Sequence, residues 1–357
     1  MNAIGAVDLG DTDGLLAADR DGLLRAASMA GAQVRAVAAA LDEGDLDLLR
    51  EPENKPRTVI WVSGRGTAES AGALLAATQA GAAAEPIVLA SEAPPWVGPL
   101  DVLIVAGDDP GDPTLVGAAA TGVRRGARVV VVAPYEGPLR DSTAGRVAVL
   151  APRLWSADGF GLCRYLAAGL AVLQVVDSRL RVDLAALADE LDAEALRNSA
   201  ARELFTNPAK TLAARMTDHR VVLAGDNAAT LALARHGSSV LLRNAHQAVA
   251  GTGLADALAA LRDGHSRSQS STEALFHDEQ IDGPLPQRLR VLALTLADER
   301  TVVTARVAGL DEVYLVGAQD DPGLPPAPIA AQRAELQLAV LAVRLEMAAV
   351  YLRLARG

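Results

Sequence analysis

Residues 58–77 read TVIWVSGRGTAESAGALLAA. The apolar run 58–62 has the composition of a buried strand, and an alanine-rich helix begins at about residue 67. Only Ser63-Gly64-Arg65-Gly66 separates the two. Gly64 and Gly66 permit a tight turn and let a ligand approach the backbone N–H groups. The first N–H groups of the following helix face the same point, with the positive end of its dipole behind them. Ser63, Gly64, Arg65, Gly66 and Thr67 are therefore candidate ligands of an anion, most often a phosphate.

Working outward, the strand–turn–helix unit recurs. Strands are expected at 86–90, 101–106, 127–133 and 146–150, with helices at 67–80 and 113–125 between them. A helix at 19–41 and a polar linker come before. After helices at 158–176 and 183–204 the plan repeats more loosely: helix 208–216, strand 220–224, helix 228–236, strand 239–243, helix 247–262, strand 289–295, helix 298–308 and strand 312–316. A Ser-rich stretch interrupts this half, and a long apolar helix at 328–354 ends the chain. Continuous apolar strands alternating with helices mean α/β architecture, with parallel sheets covered on both faces. The expected layout is an N-terminal helix and linker over 1–56, one three-layer domain over 57–180 and a second over 181–357.

Composition agrees. The chain has 357 residues, enough for two domains, and half of it is apolar while aromatics are 3%. The core must be built from Ala, Val and Leu. Net charge is −11, from 44 acidic and 33 basic residues, which excludes general nucleic-acid binding. Cys163 stands alone, so neither a disulfide framework nor a cysteine metal site is expected. No signal sequence and no apolar run of about 18–20 residues is legible, so a soluble cytoplasmic protein without membrane contact is expected.

In open α/β sheets ligands bind beyond the carboxyl ends of the strands. Three loops of the first half fall there: 63–67, 107–112 and Pro152-Arg153. The middle one carries Asp108, Asp109 and Asp112, which repel a phosphate. A dinucleotide fingerprint is incomplete, because Glu69 stands at the third glycine position and Glu85 precedes its strand.

Three stretches carry a resemblance: VIWVSGRGTAESAG (59–72), VLAPRLWSADGFGL (149–162) and NPAKTLAARM (207–216). In order and local motif the chain resembles the sugar isomerase (SIS) domain family, and within it the two-domain bifunctional phosphoglucose/phosphomannose isomerases. The resemblance implies two SIS domains, a homodimer, a sugar-phosphate ligand and no cofactor or metal. It further implies aldose–ketose isomerisation of hexose 6-phosphates through an enediolate. The family's hydroxyl-rich phosphate loop is reduced to Thr114 in this chain. Arg153 keeps the place beside the reacting carbons. Arg243 stands where the family has its catalytic glutamate, which leaves His246, His277 and Glu273 as candidate bases. Two alternatives remain open: a non-catalytic sugar-phosphate-binding protein that kept the fold, and a nucleotide-binding Rossmann-like protein.

Overall fold

Val59, Ile60, Trp61 and Val62 are all buried, which is possible only if both faces of their strand are covered. In the computed structural model, which describes residues 7–50, 55–154, 159–268, 289–320 and 333–356, this strand is β1 (Thr58–Ser63). It pairs in parallel with β2 (Ile87–Ala90) on one side and β3 (Asp101–Ala106) on the other. Beyond β3 lie β4 (Arg128–Val132) and β5 (Ala148–Val149), giving the order β2-β1-β3-β4-β5, all parallel.

One face of this sheet packs Ile60, Val62, Leu103, Val105, Val129 and Val131 against Leu115, Ala118 and Ala119 of α5 (Pro113–Arg124). The other face receives α4 (Thr67–Gln79) and α7 (Leu162–Val176), with α3 (Ala30–Asp42) behind α7. Trp61 sets the spacing there. A Cβ on Gly72 of α4 would lie 2.5 Å from its ring, and one on Gly169 of α7 3.1 Å from it. The indole Nε1 donates to the Ala68 carbonyl at 3.1 Å, which fixes the start of α4 on β1.

The second sheet has the order β7-β6-β8-β9, again all parallel: β6 (Arg220–Gly225), β7 (Ala250–Gly253), β8 (Leu289–Leu294) and β9 (Val313–Val316). One face packs on α11 (Leu254–Ser268) and α12 (Arg300–Val307). The sheet also carries α10 (Ala228–Ala245), on which the C-terminal α13 (Ala334–Arg356) packs. The chain divides into two compact units, residues 22–196 and residues 1–21 with 197–357. The second unit thus includes α1 (Thr12–Ala18), where Leu15 is fully buried and Thr12 Oγ1 donates to the Ala200 carbonyl at 3.0 Å.

The α/β class and the parallel sheets are as the sequence predicts, but one stretch corrects it. Residues 239–243 are not a strand; they continue α10, and the strand is β7 at Ala250–Gly253. Gly237 looks like a break but is a close-packing position, since a Cβ there would lie 2.6 Å from Leu223 Cδ1. The expected helix at 19–41 is two, α2 (Leu23–Ala27) and α3. The C-terminal helix is buried within the chain, so its apolar faces no longer argue for a second subunit.

Candidate functional site

In the order β2-β1-β3-β4-β5 the chain leaves β1 in one direction and β3 in the other. The crevice between their carboxyl ends is where ligands bind in this arrangement. Two loops meet there, 63–67 from β1 and 107–112 from β3. The Gly64 N–H donates to the Ala106 carbonyl at 2.9 Å, extending the ladder by one residue past Ser63. Gly66 then adopts φ 93, ψ −127, a region open in practice to glycine alone, and α4 begins. The N-cap of α4 is Gly66, which has no side chain to cap it, and the carboxylate of the first turn, Glu69, is exposed. Thr67 is buried, Ser63 is half-buried, and Arg65 stands exposed at the tip, forming no ion pair among the described residues.

The opposite loop is built differently. Asp112 caps α5, its Oδ1 accepting from the Thr114 N–H at 2.8 Å. Its Oδ2 would lie 3.3 Å from a Cβ on Gly64, so the carboxylate sits against the first loop. Asp109 accepts from the Gly111 N–H at 2.8 Å. Asp108 turns to α7, where Arg164 Nη2 donates to it at 3.0 Å and the Tyr165 hydroxyl makes a short bond to the same oxygen. Burial, then the Asp108 charge, pushes the Tyr165 phenol well above its ordinary value, so it stays a donor. Thr114 is in the right place, but its amide is already taken by Asp112.

Arg153 lies after β5, on the same edge. Its guanidinium grips Glu43 through two bonds, at 2.9 and 2.6 Å, and Asp45 through a third at 2.9 Å. Those carboxylates, Glu43 first, raise its pKa above the ordinary arginine value, and Glu43 falls in turn. The side chain is anchored to the end of α3 rather than left free in the crevice.

His246 belongs to the other unit. It ends α10 in the left-handed region at φ 52 and is exposed. Arg243 is one turn earlier on the same helix end and exposed. Glu273 and His277 fall outside the described residues. The structure therefore brings together Ser63, Gly64, Arg65, Gly66, Thr67 and Thr114, and places Arg153 at the same sheet edge with its charge engaged. Reading the sequence missed Arg164 and Tyr165. They sit in a helix whose run is otherwise apolar, and only their polarity against that background marked them. Among the described residues no group of three or more His, Cys, Asp or Glu is placed to hold a metal, and no helix is long and apolar enough to cross a membrane.

No family model matches the chain, and no curated protein matches it in sequence. Solved structures do match, over nearly the whole length. Tagatose-6-phosphate ketose/aldose isomerase from Escherichia coli aligns with TM-score 0.62 and 12% identity, covering 99% of this chain and 96% of that one. A candidate phosphosugar isomerase from Clostridium difficile 630 gives 0.63 and 11%, covering 94% and 93%. The C-terminal domain of glucosamine-fructose-6-phosphate aminotransferase from Francisella tularensis gives 0.58 and 11%, covering 95% and 98%. The chain shares the α/β fold of these proteins.

Proposed function

We propose that this chain binds a hexose 6-phosphate at the carboxyl edge of its first sheet and interconverts aldose and ketose forms, glucose or mannose 6-phosphate with fructose 6-phosphate. The carrying observation is the glycine N-cap of α4 at the β1/β3 crevice, beside Ser63 and Arg65, which forms no ion pair among the described residues. That end offers N–H groups and a positive dipole to an anion, whereas α5 has its own carboxylate in place. The fold shared with an aldose–ketose isomerase of a phosphorylated sugar supports the chemistry.

Isomerisation through an enediolate requires a base that moves one proton between neighbouring carbons, and a cation or N–H groups that hold the oxyanion. Arg153 takes the second role if the ligand draws it from Glu43 and Asp45. His246, His277 and Glu273 are the candidate bases. No metal or nucleotide takes part, and the working form is a homodimer, which sedimentation at micromolar concentration reads as about twice the 36.8 kDa chain mass.

A coupled assay on the purified protein with fructose 6-phosphate, followed for glucose 6-phosphate and mannose 6-phosphate, tests the activity. Turnover abolished by Gly66→Val in a folded sample supports it; a folded wild type without turnover above blank removes it. A second reading, a sugar-phosphate receptor without turnover, is favoured by the three hydrogen bonds that tie Arg153 to Glu43 and Asp45. It predicts ligand-induced stabilisation of about 2.7 kcal/mol at a hundredfold excess over Kd, with no product formed.

A further inference from the structure

The three aspartates of loop 107–112 are not held alike. Asp109 and Asp112 accept N–H groups from their own loop and from the head of α5. Asp108 is held from a different element. Arg164 Nη2 donates to its Oδ1 at 3.0 Å, and the Tyr165 hydroxyl makes its short bond to that same oxygen. The Arg164 guanidinium lies 4.1 Å from the Tyr165 ring centre, so the two donors fix each other. Burial raises the Tyr165 pKa and keeps the phenol a donor. Oδ2 of Asp108 accepts from no group among the described residues, and its side chain is 62% exposed against 11% for Arg164.

This is a costly way to place a surface carboxylate. Burying a guanidinium strips it of water, and Arg164 Nη1 is left without a hydrogen bond. An aspartate in solvent needs no such support for stability. What the arrangement secures is direction, with Oδ1 turned back to α7 and Oδ2 left to the open side. The place is the crevice. Gly107, one residue earlier, packs on the first loop, where a Cβ on it would lie 3.6 Å from the Gly64 nitrogen. α7 shares its sheet face with α4, whereas Asp112 belongs to α5 on the opposite face. Asp108 is therefore held on the α4 side.

A carboxylate oxygen repels a phosphate and accepts from a hydroxyl or an ammonium. Arg164 already balances the Asp108 charge, so the neutral donor is the better match. We propose that Asp108 reads the sugar end of the ligand: its Oδ2 accepts the proton of one hydroxyl, and Arg164 and Tyr165 are the positioning residues that aim it. The proposal rests on the hexose 6-phosphate reading, which puts the phosphate end at the start of α4.

Calorimetric titration of the full chain with fructose 6-phosphate and with inorganic phosphate tests it, in wild type, Asp108→Asn, Asp112→Asn and Tyr165→Phe. Asp108→Asn keeps an oxygen for Arg164 and Tyr165, turns an NH2 to the crevice and removes one negative charge. It is expected to weaken fructose 6-phosphate about tenfold while tightening phosphate about threefold. Asp112→Asn removes the same charge on the α5 face and is expected to tighten both ligands. Tyr165→Phe is expected to weaken fructose 6-phosphate about threefold and leave phosphate unchanged. Fructose 6-phosphate binding that is unchanged or tighter in Asp108→Asn makes the residue a bare surface charge and overturns the proposal. A parallel loss of both ligands makes it a loop support and overturns it equally; in either case the phosphosugar reading stands. If Asp108→Asn does not fold, Tyr165→Phe decides: the expected split keeps the proposal, and two unchanged affinities overturn it. A wild type that binds neither ligand removes the phosphosugar reading and this proposal together.

Discussion

Asp112 does at the head of α5 what a phosphate oxygen does at an open helix end: it accepts a first-turn N–H, from Thr114 at 2.8 Å. It does so next to Gly64, where its charge opposes any dianion bound at α4. Asn is an equally good cap and carries no charge. Asp112→Asn should therefore tighten fructose 6-phosphate binding by about 1 kcal/mol, roughly fivefold, in low salt and less in high salt. Titration at two ionic strengths checks it, and weaker binding would place the phosphate elsewhere. Asp177 gives a pH signature of a different kind. Arg179 donates to it through Nε, Nη2 and its backbone N–H, and these bonds hold the buried carboxyl down to about 2. A depressed carboxylate stabilises the fold above its unfolded value and loses that contribution as pH falls through the folded one. Asp177→Asn should cost about 1–2 kcal/mol at neutral pH, with Arg179 exposed and screened, and the gap to wild type should close between about pH 4 and 2. Denaturant melts across that range measure it. At this scale the sequence was legible where neighbours are local. The turn 63–67 lies where its glycines and hydroxyls predict. The engagement of Arg153 was not legible, because Glu43 and Asp45 are over a hundred positions away in the chain. Arg164 was hidden for the same reason, its partner Asp108 lying on another loop.

The NPAK stretch shows how a motif read for family resemblance acts as a structural element. Asn207 caps α9 (Pro208–Met216) through the Lys210 N–H at 2.9 Å and donates to the Ser199 carbonyl at 3.0 Å. Lys210 is fully buried, and its Nζ donates to the Ala200 and Arg202 carbonyls at 2.8 and 3.0 Å, with Tyr351 beneath it. Burial lowers its pKa, so these bonds keep it charged at a cost. The motif pins the turn after α8 (Leu184–Arg197) to the head of α9 and touches no candidate ligand group. Lys210→Met should therefore lower stability by about 2–4 kcal/mol through two orphaned carbonyls, and leave fructose 6-phosphate affinity per folded molecule unchanged. Loss of binding in a folded sample would give the lysine a second role. Elements built from continuous apolar runs, such as β3 and β4, were legible because burial on both faces leaves the sequence little choice. β7 was not. Its sequence AGTG carries no strand signal, since a Cβ on Gly251 would lie 2.8 Å from the Ala234 carbonyl and only glycine fits against α10.

At the scale of the molecule, composition dictated the layers: a chain half apolar with 3% aromatics packs Ala, Val and Leu between helices and sheets. The division of the chain was less legible, because α1 lies far in sequence from the unit it completes. Leu15 is fully buried there, and Arg353 donates to Asp21 at 2.7 Å. Leu15→Ala should cost about 2–4 kcal/mol. Hydrogen exchange should show protection falling in α9, α10 and α13 and unchanged in β1–β5; an even loss over both units would refute a separate second unit. The same arrangement sets an order on the ribosome. Residues 22–196 can close their sheet as soon as they emerge. Residues 7–21, made before that unit, must wait for α13, made after it, roughly 20–70 s later at 5–20 residues per second. During that interval the amphipathic α1 is without the surface that buries Leu15, so it is the natural handle for a chaperone. For the same reason residues 22–196 should be obtainable as a folded fragment, and residues 197–357 should need the first 21 supplied with them.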